Sequence, residues 1–186
     1  MILEAIVTTT NADGGVNVSP MGPLIENDPG EGFELRPYET SRTFANLQQR
    51  PFGVLHVTDD VLLFAKTAIG KLTETPPVRS AEKNDAAFIL EGACRWYEFK
   101  AVYFETSEPR KNIRCEVVAA GRQRDFWGFN RARHAVLEAA ILATRIDFIP
   151  AAEIDQQYER LRVIVDKTGG SIENEAMTLL EQFVAG

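Results

Sequence analysis

The chain has 186 residues, 45% of them hydrophobic and 25% charged, with a formal net charge of −7. That length can bury a core without disulfides or metal, and it fits one domain or one domain with an appendage. The acidic balance argues against nonspecific nucleic-acid binding, which needs a broad basic footprint, but it leaves room for a local basic pocket.

The N-terminal run Met-Ile-Leu-Glu-Ala-Ile-Val-Thr lacks a basic n-region and carries Glu4, so it reads as a first strand and not a signal peptide. No apolar run approaches the ~20 residues a spanning helix needs, and the expected location is the cytoplasm. There the two cysteines, Cys94 and Cys115, are read as buried free thiols in preference to a bridge.

Leu3 to Thr10 is a β-branched strand, and Asn11 to Gly15 supplies the residues of a hairpin loop. Val16 to Pro20 returns as a second strand, with Val16 and Val18 on one face and Asn17 and Ser19 on the other. Pro20 and Pro23 cannot donate to a ladder, so this strand bends, bulges or lies at an edge. Gly22 permits close backbone approach by a ligand, although an irregular strand end accounts for the stretch equally well.

Glu26 to Gly32 is a turn-rich acidic loop, and Phe33 to Tyr38 is a short strand stopped by Pro37. Thr40 is expected to cap a helix from about Ser41 to Gln49. Arg36, Arg42, Thr40, Ser41 and Thr43 gather at that helix N-terminus, the best anion site in the sequence. Ordinary capping with surface arginines explains the same residues.

Pro51 to Thr58 is an apolar strand carrying His56, which is read as structural or exposed in preference to catalytic. Asp59 and Asp60 can cap a short helix over Val61 to Ile69, closed by Gly70. Leu72 to Asp85, with Pro76 and Pro77, is expected to be an exposed connection, and Ala86 to Glu91 a buried segment. Ala93 to Thr106 alternates as a long aromatic strand, Ser107 to Lys111 turns around Pro109, and Asn112 to Ala120 is the hairpin partner. Trp96, Tyr97 and Phe99 serve core or interface packing, with a ring-lining role as the alternative. Asn130 caps a helix reaching Arg145, with His134 on its solvated face, and helices over Ala152 to Lys167 and Ile172 to Val184 follow.

Motifs for a phosphate loop, a zinc site or a nucleophile elbow do not occur, and His56 and His134 alone do not make a multi-histidine metal site. A shortage of acid and base groups favours a protein whose reactive group comes from a bound cofactor.

Several stretches, taken in order, carry a resemblance. They are a strand hairpin, Asn-Val-Ser-Pro-Met-Gly, Arg-Pro-Tyr-x-Thr-Ser-x-Thr-x-x-Asn-Leu, a strand closing on Thr-Asp-Asp, and Phe-Trp-Gly-Phe-Asn-Arg-Ala. The chain resembles domain-of-unknown-function family 447, which is similar to flavin-reductase-like proteins with an FMN-binding split barrel. The resemblance implies a mainly β fold with appended helices: a split β-barrel of Greek-key type over residues 1–125, and a C-terminal helical segment over 126–186. It further implies a homodimer with FMN in a cleft at the subunit interface, a small-molecule ligand, and neither nucleic acid nor membrane as partner. Carried over by position, Asn17, Ser19, Pro20 and Met21 lie along the isoalloxazine or ribityl chain. Arg36, Thr40, Ser41 and Thr43 surround the phosphate, with Tyr38 nearby. His56, Asn130 and Arg131 match more loosely and either reach the flavin or serve the fold. An oxidoreductase using flavin for hydride or electron transfer is the implied function. A non-catalytic flavin- or pterin-binding carrier or sensor is the alternative.

Overall fold

The computed structural model describes residues 1–105 and 111–186, so the turn expected around Pro109 lies outside the described residues. Six strands form one antiparallel sheet: β1 (Ala5–Thr10), β2 (Val16–Met21), β3 (Phe33–Leu35), β4 (Phe52–Val57), β7 (Arg95–Glu105) and β8 (Asn112–Arg122). Their spatial order is β2-β1-β4-β7-β8-β3. β2 therefore lies at an edge, which is where a strand containing Pro20 is tolerated. The two edges meet through Leu24, which bridges Ile2 on one side and Glu34 on the other. This curls the sheet into a split barrel.

The barrel interior follows from alternation along the strands. Ala5 and Val7 of β1, Phe33 and Leu35 of β3, Leu55 of β4, Tyr97 and Phe99 of β7, and Ile113 and Cys115 of β8 form one cluster. Helix α1 (Arg42–Gln49) closes it with Phe44 and Leu47. Ser41, not Thr40, is the N-cap of α1: its Oγ accepts the Phe44 N–H at 3.2 Å. Ser41 is still extended, and its N–H closes the preceding turn on the Tyr38 carbonyl at 3.0 Å, so the helix begins one residue later than expected. Cys94 and Cys115 are both buried, and neither is in a disulfide.

On the opposite face of the sheet lies a small hairpin of β5 (Val78–Ser80) and β6 (Phe88–Leu90). The connection over 72–85, expected to be exposed, is exposed or half-buried except at Ala81, which is buried with Val54, Ala87, Ile89 and Trp96. Sheet side chains hold the hairpin down. Thr8 Oγ1 donates to the Phe88 carbonyl at 2.5 Å and Thr10 Oγ1 donates to the Ala86 carbonyl. Glu98 Oε2 accepts the N–H groups of Glu82 and Lys83 at 3.0 and 2.9 Å.

The chain divides into two compact units, Met1–Thr58 with Glu74–Phe126, and Asp59–Thr73 with Trp127–Gly186. The second unit is helical: α2 (Val61–Ala68), α3 (Arg131–Ala143), α4 (Ala151–Thr168) and α5 (Ser171–Val184). Asp60 caps α2 and Asn130 caps α3 through their side chains. Val61 and Ala65 share a core with Val136, Ala139, Ile154, Val165, Met177 and Leu180. Arg133 stitches this unit by donating to Asp59 at 2.8 Å and to Glu173 at 3.0 Å. Burial opposes the ionised Glu173 carboxylate. The Gly170 N–H and Arg133 outweigh that, so it is held below the usual carboxylate range. Among the described residues no helix is long and apolar enough to cross a membrane.

Candidate functional site

The barrel unit places most of the expected site residues around two features, the β2 edge and the turn entering α1. In the β1–β2 ladder Thr9 faces Asn17, Val7 faces Ser19, and Ala5 faces Met21. Ala5 and Val7 belong to the cluster closed by α1, so Asn17, Ser19 and Met21 share the α1-facing side of β2. Pro20 pairs with Ile6 and presents its ring to the opposite face. The four residues expected along one ligand edge are thus split three to one between faces.

Asn17 ties the two features together. Its Nδ2 donates to Thr9 Oγ1 at 3.1 Å and to Thr43 Oγ1 at 3.2 Å. Asn46, one helical turn on from Thr43, donates to Thr9 Oγ1 at 3.0 Å and to Asn11 Oδ1 at 2.9 Å. Arg50 Nη1 reaches the Asn11 carbonyl at 2.5 Å. Thr43 is only 1% exposed, so its hydroxyl lies beneath the surface and anchors α1 to β2. Thr9, Asn11, Asn46 and Arg50 were not singled out from the sequence. The i, i+3 spacing of Thr43 and Asn46 on one helix face was the available signal.

The turn itself carries charge and hydroxyls. Tyr38, Glu39, Thr40 and Arg42 are exposed, and Ser41 is half-buried. Arg36 is half-buried, and its Nε has no hydrogen-bond partner among the described residues although that atom is buried. A buried donor without an acceptor is costly, and an anion would satisfy it. The residues present therefore fit a phosphate. Lys111 was not anticipated. Pairing of β3 with β8 aligns Leu35 with Ile113, and the Lys111 N–H then bonds the Pro37 carbonyl at 3.0 Å. Its ammonium contacts Glu39 at 3.2 Å. Nothing local in the sequence announces this, because the two segments meet only through strand register.

His56 stands apart from this site. It is fully buried, and its Nε2 accepts the Leu90 N–H at 3.0 Å. Nδ1 lies 3.2 Å from the Ile6 carbonyl, so Nδ1 carries the proton and donates it there. Burial lowers its pKa to about 4, with the Ile6 bond opposing, so the ring is neutral at pH 7. Asn130 and Arg131 belong to the helical unit: Asn130 caps α3, and Arg131 is exposed. His134 on α3 meets Phe129 in a tilted ring contact, with centroids 5.8 Å apart. Among the described residues, no cluster of three or more His, Cys, Asp or Glu could hold a metal ion.

Comparison with known proteins extends the picture. Residues 3–124 match the N-terminal domain of a family described as protein of unknown function, DUF447, and residues 130–182 match that family's C-terminal part. The fold is similar to that of an FMN-bound DUF447 protein from Methanosarcina mazei, with 23% identity and a TM-score of 0.82, covering 98% of this chain and 94% of that one. It is also similar to an FMN-binding protein from Thermus thermophilus with bound 1-cyclohex-2-enone (16% identity, TM-score 0.53, 65% and 70% of the two chains). A third is the styrene monooxygenase flavin reductase of Pseudomonas putida S12 (14% identity, TM-score 0.53, 63% and 77%). With the split barrel and C-terminal helices in place and both family regions matched in order, the chain belongs to the DUF447 family.

Proposed function

We propose that this chain binds FMN and acts as a flavin-dependent oxidoreductase, as a homodimer with its cofactor cleft at the subunit interface. The carrying observation is the likeness, over 98% of the chain, to a family member whose structure holds FMN. The buried Arg36 Nε, without a hydrogen-bond partner among the described residues and followed by a hydroxyl-rich turn, supports a phosphate site here.

In this reading Arg36, Tyr38, Thr40 and Ser41 hold the phosphate, Arg36 through charge-assisted hydrogen bonds. Thr43 acts from below, keeping α1 in place through Asn17. Asn17, Ser19 and Met21 line the ring or ribityl chain from the α1-facing side of β2, and Pro20 shapes that strand from its other face. FMN supplies hydride or single-electron chemistry when bound. The chain's own residues bind, orient and shield it.

The test is an absorbance spectrum of the purified protein before and after FMN addition. Protein that is colourless and takes up no FMN sinks the proposal. Arg36→Ala should weaken FMN by about tenfold or more while riboflavin is little affected, since a charge-assisted bond contributes roughly 1.5–3 kcal/mol. Light scattering should give twice the chain mass.

A second reading, a non-catalytic flavin or pterin carrier or sensor, draws on the state of the barrel's buried ionisable groups. His56 is wholly buried with both ring nitrogens bonded inside the barrel unit, so it is not placed to exchange a proton with a ligand. Glu98 is tied to the Glu82 and Lys83 N–H groups of the β5–β6 hairpin. Bound FMN that nicotinamide donors fail to reduce favours this reading; rapid reduction removes it.

A further inference from the structure

Lys111 is a lysine only 6% exposed. Burying an ammonium is costly unless it is paired, and lysine is among the residues least often buried. Here it contacts Glu39 at 3.2 Å, yet the Glu39 side chain is 66% exposed. The pair joins a buried ammonium to a solvated carboxylate, so the carboxylate is the partner that an anion from solvent can replace. The Lys111 N–H is fixed on the Pro37 carbonyl, so the lysine is anchored against the same turn that holds Arg36, Tyr38 and Ser41. Arg36, one residue before that carbonyl, has a buried Nε without a hydrogen-bond partner among the described residues. Two cationic side chains thus meet one short turn, and the carboxylate there sits on the solvent side.

We infer that Lys111 is an anion ligand of the Arg36–Ser41 turn, and that Glu39 is the counter-ion an incoming phosphate group displaces. The inference rests on reading this turn as a phosphate site. A phosphate monoester carries roughly two negative charges and three acceptor oxygens, against one charge on Glu39. It can therefore take the Lys111 ammonium and still satisfy the Arg36 Nε. Glu39 then competes with the ligand for the Lys111 ammonium and sets how tightly a phosphate must be held to replace it. Riboflavin, which lacks the phosphate, gains nothing from the exchange, so Lys111 and Glu39 together select the phosphorylated ligand.

The experiment uses the full chain with Lys111→Met, Lys111→Arg and Glu39→Gln. Dissociation constants are measured for FMN and riboflavin, and the rise in Tm is measured with inorganic phosphate. Lys111→Met should weaken FMN by about tenfold or more with riboflavin unchanged, and Lys111→Arg should recover most of the loss. Glu39→Gln should tighten FMN and enlarge the phosphate-induced rise in Tm. Equal loss of FMN and riboflavin in Lys111→Met, or FMN unaffected or weakened in Glu39→Gln, overturns the inference. If Lys111→Met does not fold, Lys111→Arg and Glu39→Gln decide it by the same criteria. Phosphate that stabilises the wild type more than Lys111→Met, with neither flavin bound, keeps the inference and removes the FMN reading. Flavin binding indifferent to all three variants does the reverse. No response to phosphate or to either flavin removes both.

Discussion

His56 shows how one buried side chain couples stability to pH. Both ring nitrogens are occupied, Nδ1 by the Ile6 carbonyl and Nε2 by the Leu90 N–H, and only the neutral ring can do both jobs. Its pKa is lowered from 6.5 to about 4 in the folded chain. The unfolded chain therefore takes up a proton below pH 6.5 that the folded chain refuses until about pH 4. The contribution is complete above pH 6.5 and is lost as the pH falls through about 4. Its size over that window is about 3 kcal/mol. Urea titrations between pH 4 and 7 should show this slope, and His56→Gln should be less stable at pH 7 with a shallower dependence below it. A variant with the wild-type slope would contradict the assignment. The sequence allowed a structural His56 but not its partners, because Leu90 reaches it from a segment whose strand character the sequence does not display.

Among elements, the β5–β6 hairpin is the least legible. Three-residue strands are too short for alternation to register, and Pro76 and Pro77 point to a loop. The hairpin exists because Thr8, Thr10, His56 and Glu98 offer hydrogen bonds from the sheet beneath, a tertiary effect. The long strands were legible by contrast, since Trp96, Glu98 and Tyr97, Phe99 alternate over many residues. Within β7 and β8 the alternation has a further consequence. Gly121 lies opposite Trp96, and a Cβ there would come within 2.5 Å of the indole. Gly121→Ala should destabilise the chain by about 1–3 kcal/mol through overpacking, read as a lower midpoint in urea with an unchanged slope. The candidate site divides in the same way. Arg36, Ser41 and Asn17 were visible as polar residues at strand and helix ends, where local pattern suffices. Lys111 and the Thr9–Asn46 link depend on which strands pair, and no local pattern carries that.

At the level of the whole molecule, the matched regions at residues 3–124 and 130–182 are contiguous in sequence, but the compact units are not. Helix α2 is inserted after β4, and its Val61 and Ala65 belong to the helical core. A protein cut after Phe126 keeps α2 and loses the α3 and α5 surfaces that cover it. Such a fragment should bind more of a hydrophobic dye than the full chain and associate at high concentration. Replacing Val61 and Leu62 with Lys in the fragment should reduce both effects. A fragment as monomeric and dye-free as the full chain would show that α2 needs no helical cover.

The pairing of β3 with β8 also has a kinetic meaning. Residues 33–35 and 113–115 are far apart along the chain, and contacts of that kind form only after a large loop-closure cost has been met. Arg36 and Lys111 lie just beyond that pairing, so the two sides of the anion turn come together only when the last edge of the barrel is laid down. A ligand bound at the turn as proposed would then be captured late in refolding. A phosphate bound there as proposed would act on the folded sheet alone, holding shut a long-range closure and adding stability that grows with the logarithm of its concentration over its Kd.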